Sequence, residues 1–157
     1  MEVLVIIFDL NLSFVSHLIL KMAQEFAGKW DFESSDNFDE YLKAVGVGLI
    51  TRKVAANLKP QIVIKVDGDH WRLESNSTFK NIVIEFDLGK EFEETTGDGR
   101  KVMSTFTLEG GKLHQVQKAT KSGEKDSTFD RYLEGGKLVI DMEADGVKAK
   151  RVYTRAA

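Results

Sequence analysis

Glycine-bearing turns recur along most of this chain, and only short segments fit between them. Asp67-Gly68-Asp69, Leu88-Gly89, Gly97-Asp98-Gly99, Glu109-Gly110-Gly111, Gly135-Gly136 and Asp145-Gly146 each offer residues that tolerate a sharp reversal. The runs they bound lie near 61–67, 70–77, 81–87, 91–95, 100–108, 112–119, 125–133, 137–143 and 147–155. An earlier run, Gly28-Lys29-Trp30-Asp31-Phe32-Glu33, alternates aromatic with charged residues, as a strand with one wet face does. Such even spacing predicts an all-β fold. It is an antiparallel up-and-down barrel or clam, in which each strand pairs with the next.

One interruption is helical. Phe38 to Val45 places Phe38, Tyr41, Leu42 and Val45 on one face, and Leu49 to Leu58 follows after Gly46-Val47-Gly48. Pro60 stops the second segment, and Ser34-Ser35-Asp36-Asn37 offers turn and N-cap chemistry before the first. The pair is too short to cover a sheet, so it caps one end of the barrel.

Residues 1–21 read differently. They are mostly apolar, with Glu2, Asp9, Ser13 and Ser16 on one side of a helix and Val3, Ile7, Leu10, Phe14 and Leu18 opposite. Asp9 argues against a spanning helix, while Glu2 and the lack of a small-residue cleavage site argue against a secretory signal. A dispensable extension, a signal-like segment and a membrane-touching helix all stay open for 1–21. Met22 can start the compact domain, 22–157.

The bulk numbers narrow the function classes. A chain of 157 residues is long enough for one domain with a sizeable core. A net charge of −3 gives no field for nucleic acid, and the absence of cysteine removes disulfide and thiolate chemistry while suiting the cytosol. There is no nucleophile elbow, phosphate loop or metal-ligand set, so an enzyme finds no support. His70 and His114 read as surface groups and Trp30 as structural packing.

Period-two alternation picks out what faces inward. Trp71, Leu73, Ile84, Phe86, Val102, Phe106, Leu113, Ile140 and Met142 share the interior with Ser75, Ser77, Glu94, Ser104, Gln115 and Gln117. Two strands do something less usual. Val147, Ala149, Arg151 and Tyr153 lie on one face, with Lys148 and Lys150 on the other; Phe129, Arg131 and Leu133 share a face in the same way. A guanidinium keeps its charge, and a buried charge without its partner costs roughly 3–5 kcal/mol. Two explanations fit: a buried ion pair with an inner carboxylate such as Glu94, or an anion taken from outside.

The motifs resemble those of the intracellular fatty-acid-binding proteins. The likeness is carried by Gly28-Lys29-Trp30-Asp31-Phe32, Asn37-Phe38-Asp39-Glu40-Tyr41-Leu42, Gly46-Val47-Gly48, Thr51-Arg52-Lys53-Val54-Ala55 and Ser77-Thr78-Phe79-Lys80-Asn81. It continues through Gly89-Lys90-Glu91-Phe92-Glu93-Glu94-Thr95-Thr96, Arg100-Lys101-Val102 and Gly110-Gly111-Lys112-Leu113. The resemblance implies a ten-stranded β-clam with a helix-turn-helix lid over a water-filled cavity. It implies a monomeric carrier of long-chain fatty acids that needs no cofactor. In the heart, adipocyte and myelin branch two arginines and a tyrosine hold the ligand carboxylate, and those motif positions fall on Arg131, Arg151 and Tyr153. By the same likeness Phe38, Thr51, Ala55, Phe79 and Asp98 become contacts for the tail or the portal. Retinoic-acid carriers use a similar arginine–tyrosine set, so the preferred acid stays open.

Lys43, Arg52 and Lys53 read as a solvated helix face or as a patch for transient membrane contact. Comparable lid residues of some relatives serve nuclear import. A cytoplasmic location follows from the resemblance, with nuclear entry and secretion through the extension left open. The turn Lys121-Ser122-Gly123-Glu124-Lys125 is longer than in close relatives, and residues 1–21 lie outside the family pattern.

Overall fold

The structure is a computed structural model that describes residues 2–157, with side chains from Leu12 onward. Helix α1 (Glu2–Glu25) leads into strand β1 (Gly28–Asp36), the lid helices α2 (Phe38–Ala44) and α3 (Leu49–Asn57), and then β2 (Gln61–Asp67) and β3 (His70–Asn76). The chain continues through β4 (Asn81–Asp87), β5 (Phe92–Thr95), β6 (Lys101–Glu109), β7 (Lys112–Ala119), β8 (Ser127–Glu134), β9 (Lys137–Ala144) and β10 (Val147–Arg155). All ten strands form one antiparallel sheet, ordered β4-β3-β2-β1-β10-β9-β8-β7-β6-β5. The pairing of β1 with β10 joins the first strand to the last and curls the sheet into a barrel.

The expectation that every strand pairs with its successor fails once. β4 and β5 are the two edges of the sheet and are not paired. Side chains bridge that seam near one end, where Phe86 stacks on Phe92 with centroids 6.2 Å apart. Gly89 N–H donates to the Phe106 carbonyl at 2.7 Å, tying the end of β4 to β6. The barrel is therefore nearly closed.

Ser34, Ser35 and Asp36 do not form the expected turn. They pair with Val152, Arg151 and Lys150 of β10, and a register shift between Phe32 and Ser34 lets β1 bend round the barrel. Sheet pairing thus outcompetes local turn preference. Asn37 does precede α2, but with φ 57° and no capping bond from its side chain. Its Nδ2 instead donates to the Lys148 carbonyl at 2.7 Å, fastening the start of the lid to β10. Strand β8 starts at Ser127 and not 125, because the Asp126 carboxylate accepts the Ala119 N–H at 2.8 Å and ends the β7–β8 ladder.

Helix α1 crosses the boundary expected at Met22. Its last turn belongs to the barrel: Ala23 and Phe26 are buried, and Gln24 Nε2 donates to the Val66 carbonyl at 3.2 Å. Arg155, at the end of β10, donates to the carbonyls of Glu25 and Ala27 at 2.8 and 2.9 Å, satisfying groups that a helix end leaves open. Gly28, with φ +129°, leaves room for that arginine; a Cβ there would stand 2.9 Å from Nη1. Beyond this anchor, Leu12 to Leu20 are exposed on every side, Phe14 and Leu18 included. Glu2, Val3, Ile7, Asp9 and Leu10 lie outside the described side chains. Among the described residues no helix is long and apolar enough to cross a membrane.

The end opposite the lid is solid. Trp30, Trp71 and Phe106 are fully buried with Phe26 and Phe86 around them, and Phe86 stacks on Phe106 at 3.7 Å between centroids. Trp30 Nε1 donates to the Phe26 carbonyl at 3.0 Å, so the expected structural tryptophan is a satisfied one.

Candidate functional site

Under the lid the packing stops. A cavity of about 290 Å³ lies between α2, α3 and the inner sheet face, walled chiefly by apolar side chains. All eight residues singled out from the sequence border it: Arg131, Arg151 and Tyr153 from the sheet, Phe38, Thr51 and Ala55 from the lid, and Phe79 and Asp98 from facing turns.

The register explains how the arginines come together. Arg131 on β8 and Arg151 on β10 both pair with Ile140 on the intervening β9. They occupy one rung, two strand spacings or about 10 Å apart along the backbone. Both side chains turn inward over Ile140, and Tyr153 stands two residues along on the same face as Arg151. An edge-on contact with Phe32 at 5.8 Å holds the Tyr153 ring.

The buried ion-pair explanation does not describe this interior. The Glu94 carboxylate takes its hydrogen bonds from Ser104, from Gln115 Nε2 at 2.9 Å and from Gln117 Nε2 at 3.1 Å, and from neither arginine. Arg131 instead lies over the rings of Phe129 and Phe106 at 5.2 and 5.5 Å, and its Nη1 has no partner among the described residues. Arg151 lies over Phe38 at 4.4 Å and Phe32 at 4.9 Å, donates from Nη2 to the Leu58 carbonyl at 2.9 Å, and leaves Nε unpartnered among those residues. These are charged donors aimed at aromatic walls and at space.

Proton affinities follow from that burial. Desolvation pushes the Arg131 guanidinium down to about 10, against partial support from the Glu94 charge, which still leaves it cationic at neutral pH. Arg151 moves down for the same reason, offset by Tyr153. Burial pushes the Tyr153 phenol up, outweighing the two arginines, so it remains a hydroxyl donor. Two permanent cations and a phenol set about an apolar cavity can hold a carboxylate bidentately with a third donor.

The remaining polar interior is linked by hydrogen bonds, with Gln115 Oε1 and Arg100 Nη1 left without partners among the described residues. From Glu94 the hydrogen bonds run through Gln117 to Ser127 Oγ at 2.9 Å, and the Tyr41 hydroxyl on α2 donates to that Ser127 oxygen at 3.2 Å. Alternation showed these residues facing inward, but the link to the lid depends on how α2 folds over. Asp98 meets the cavity with its carboxylate already engaged by Thr96 at 2.8 Å and Arg100 at 2.7 Å; burial raises its carboxyl and those bonds outweigh it, holding it low. Arg100, an inward guanidinium at the mouth, was not singled out from the sequence. It shares the period of Val102, Ser104 and Phe106, so alternation extended one step back past the turn would have found it. Phe79 stands at the rim, 67% exposed, and Thr51 is exposed beside it on the lid. His70 and His114 are on the outside, each against an aspartate, Asp87 or Asp130.

A ten-stranded, nearly closed barrel with a two-helix lid and a cationic internal cavity is the architecture of a lipid-binding β-clam. The chain belongs to the lipocalin / cytosolic fatty-acid binding protein family, whose profile matches residues 27–156. This is a family of lipid carriers. The chain is 52% identical over 134 residues to fatty acid-binding protein homolog 6 of Caenorhabditis elegans, covering 85% of this chain and 99% of that protein. It superposes on apo lipid binding protein 8 of the same organism with a TM-score of 0.82 at 38% identity, covering 85% and 96% of the two chains. A Schistosoma mansoni fatty acid binding protein in complex with arachidonic acid matches with a TM-score of 0.79 at 32% identity, covering 85% and 97%.

Proposed function

We propose that this protein carries long-chain fatty acids, one per barrel, as a cytoplasmic monomer without chemical turnover. The observation that carries the reading is the pair Arg131 and Arg151 on one rung, both turned into an apolar cavity with donor atoms unpartnered among the described residues. Arg131, Arg151 and Tyr153 take the carboxylate; Phe38, Ala55 and Phe79 contact the tail, and Thr51 and Asp98 shape the mouth. Relatives named as fatty acid-binding proteins, and one solved with arachidonic acid, support the choice of ligand. Burying the acyl tail contributes roughly 0.8 kcal/mol per CH₂ at most, reduced by the lost freedom of the ligand. Entry requires the lid to move, because the sheet leaves no wide opening.

The test compares palmitate with its methyl ester in a fluorescence-displacement assay. Arg131→Ala weakens the acid far more than the ester; equal loss of both would show that the charge contact does not hold the head group.

A second reading is favoured by one observation: Leu12, Phe14, Val15, Leu18, Ile19 and Leu20 are exposed around α1. A membrane-associated lipid-binding protein would use such a helix to rest on a bilayer. Co-sedimentation with liposomes, comparing the full chain with a Met22-start form, separates it from a freely diffusing carrier.

A further inference from the structure

The two cavity arginines differ in what holds them. Arg131 lies over two rings of the barrel, Phe106 on β6 and Phe129 on β8. Arg151 reaches the lid twice. Its Nη2 donates to the carbonyl of Leu58, the residue that ends α3, and its guanidinium lies over Phe38, the first residue of α2. One side chain of β10 thus ties the outer ends of both lid helices to the floor of the site.

Local chemistry favours that tie. Carbonyls in the last turn of a helix lack intrahelical partners and carry the negative end of the helix dipole, so a cation there is favourable. Leu58 has left the helix with ψ 142°, and Pro60 two residues on prevents the turn from rewinding. The aromatic face of Phe38 supplies the complementary wall.

The tie does not use up the arginine. A guanidinium offers five N–H donors in a rigid fork; Leu58 takes one, and Nε has no partner among the described residues. A carboxylate can therefore be held bidentately while Leu58 keeps its bond. We propose that the lid is part of the head-group site: Leu58 and Phe38 position Arg151 for the carboxylate, so head-group capture and lid closure are linked. The link rests on the carrier reading above. Because linkage is reciprocal, the acid stabilises the closed lid by the same factor by which the closed lid strengthens acid binding. A neutral head on the same tail fills the cavity without that effect.

Amide hydrogen exchange on the full chain tests it, read at Leu58, whose N–H donates to the Ala55 carbonyl in the final turn of α3. Saturating palmitate slows exchange there several-fold more than saturating methyl palmitate. In Arg151→Met the two ligands act alike, whereas in Arg131→Met, at saturation, the acid keeps its advantage. Phe38→Leu weakens palmitate several-fold more than methyl palmitate: the loss common to both ligands reads the contact of Phe38 with the tail, and the extra loss of the acid reads its hold on Arg151. Equal protection by acid and ester in the wild type overturns the link, as does an acid-specific effect that survives Arg151→Met. Equal losses for both ligands in Phe38→Leu also overturn it, and that variant decides the matter if Arg151→Met does not fold. No binding of palmitate at all overturns the carrier reading itself, and the link with it.

Discussion

The two ends of the barrel use the same kind of residue for opposite purposes. At the closed end, aromatic rings meet one another: Phe26 on Trp71, Trp71 on Phe86, Phe86 on Phe106. At the lid end, rings meet cations: Phe32 and Phe38 against Arg151, Phe129 against Arg131. The first arrangement excludes water and fills space. The second holds two desolvated charges in place without neutralising them, which costs stability and, on the carrier reading proposed above, provides the affinity for a carboxylate. The contrast teaches that close packing and unneutralised charge are separated along the barrel axis, with Phe106 touching both layers.

The largest expected effect falls on the closed end. Trp30→Ala removes a fully buried ring and its bond to Phe26, and should lower unfolding stability by about 3–5 kcal/mol in urea titration. A loss under 1 kcal/mol would show that this end is not where the fold is held.

At the lid end the sign should reverse. Arg131→Met replaces a buried charge with an apolar side chain of similar reach, and such replacements are often neutral or stabilising by about 1–4 kcal/mol. Its ligand-free thermal midpoint should hold or rise, while palmitate affinity falls by about 30-fold or more. A lower midpoint together with unchanged affinity would merge the two ends into one structural core.

Tyr153→Phe should be milder, weakening palmitate about fivefold through one lost hydrogen bond. The same residue sets a pH dependence. Its folded phenol titrates above the ordinary value of 10.0 because burial disfavours the phenolate. The stability it contributes is fully present below that ordinary value and is lost as pH rises through the folded one. Alkaline unfolding monitored by circular dichroism should be less steep in Tyr153→Phe.

The smallest effect belongs to residues 1–21. A Met22-start form keeps Ala23, Phe26 and the Arg155 contacts, so its urea midpoint and palmitate affinity should match the full chain within error. A large drop in either would mean that the exposed part of α1 packs in a way its exposure does not suggest.

Much of this was legible beforehand, for a reason that individual residues make plain. Strand side chains alternate rigidly, so Arg131, Arg151 and Tyr153 could be assigned to one interior without knowing the barrel's shape. The turn after Val66 could be placed because Asp-Gly-Asp tolerates little else. Local preference misled at Ser34 to Asp36, where pairing with β10 supplied backbone hydrogen bonds that no isolated turn could match. Asn37 likewise spends its side chain on Lys148, 111 positions away, and not on the helix it precedes.

The sequence by itself determined the strand count, the inward faces and the residue types in the cavity, because each depends on periodicity and turn chemistry within a few residues. Only the tertiary structure decided that β4 and β5 part, that Glu94 bonds to amides and not to arginine, and that Arg151 reaches Leu58. Those outcomes depend on distances between segments far apart in the chain, and such distances exist only once the sheet has curled and the lid has settled on it.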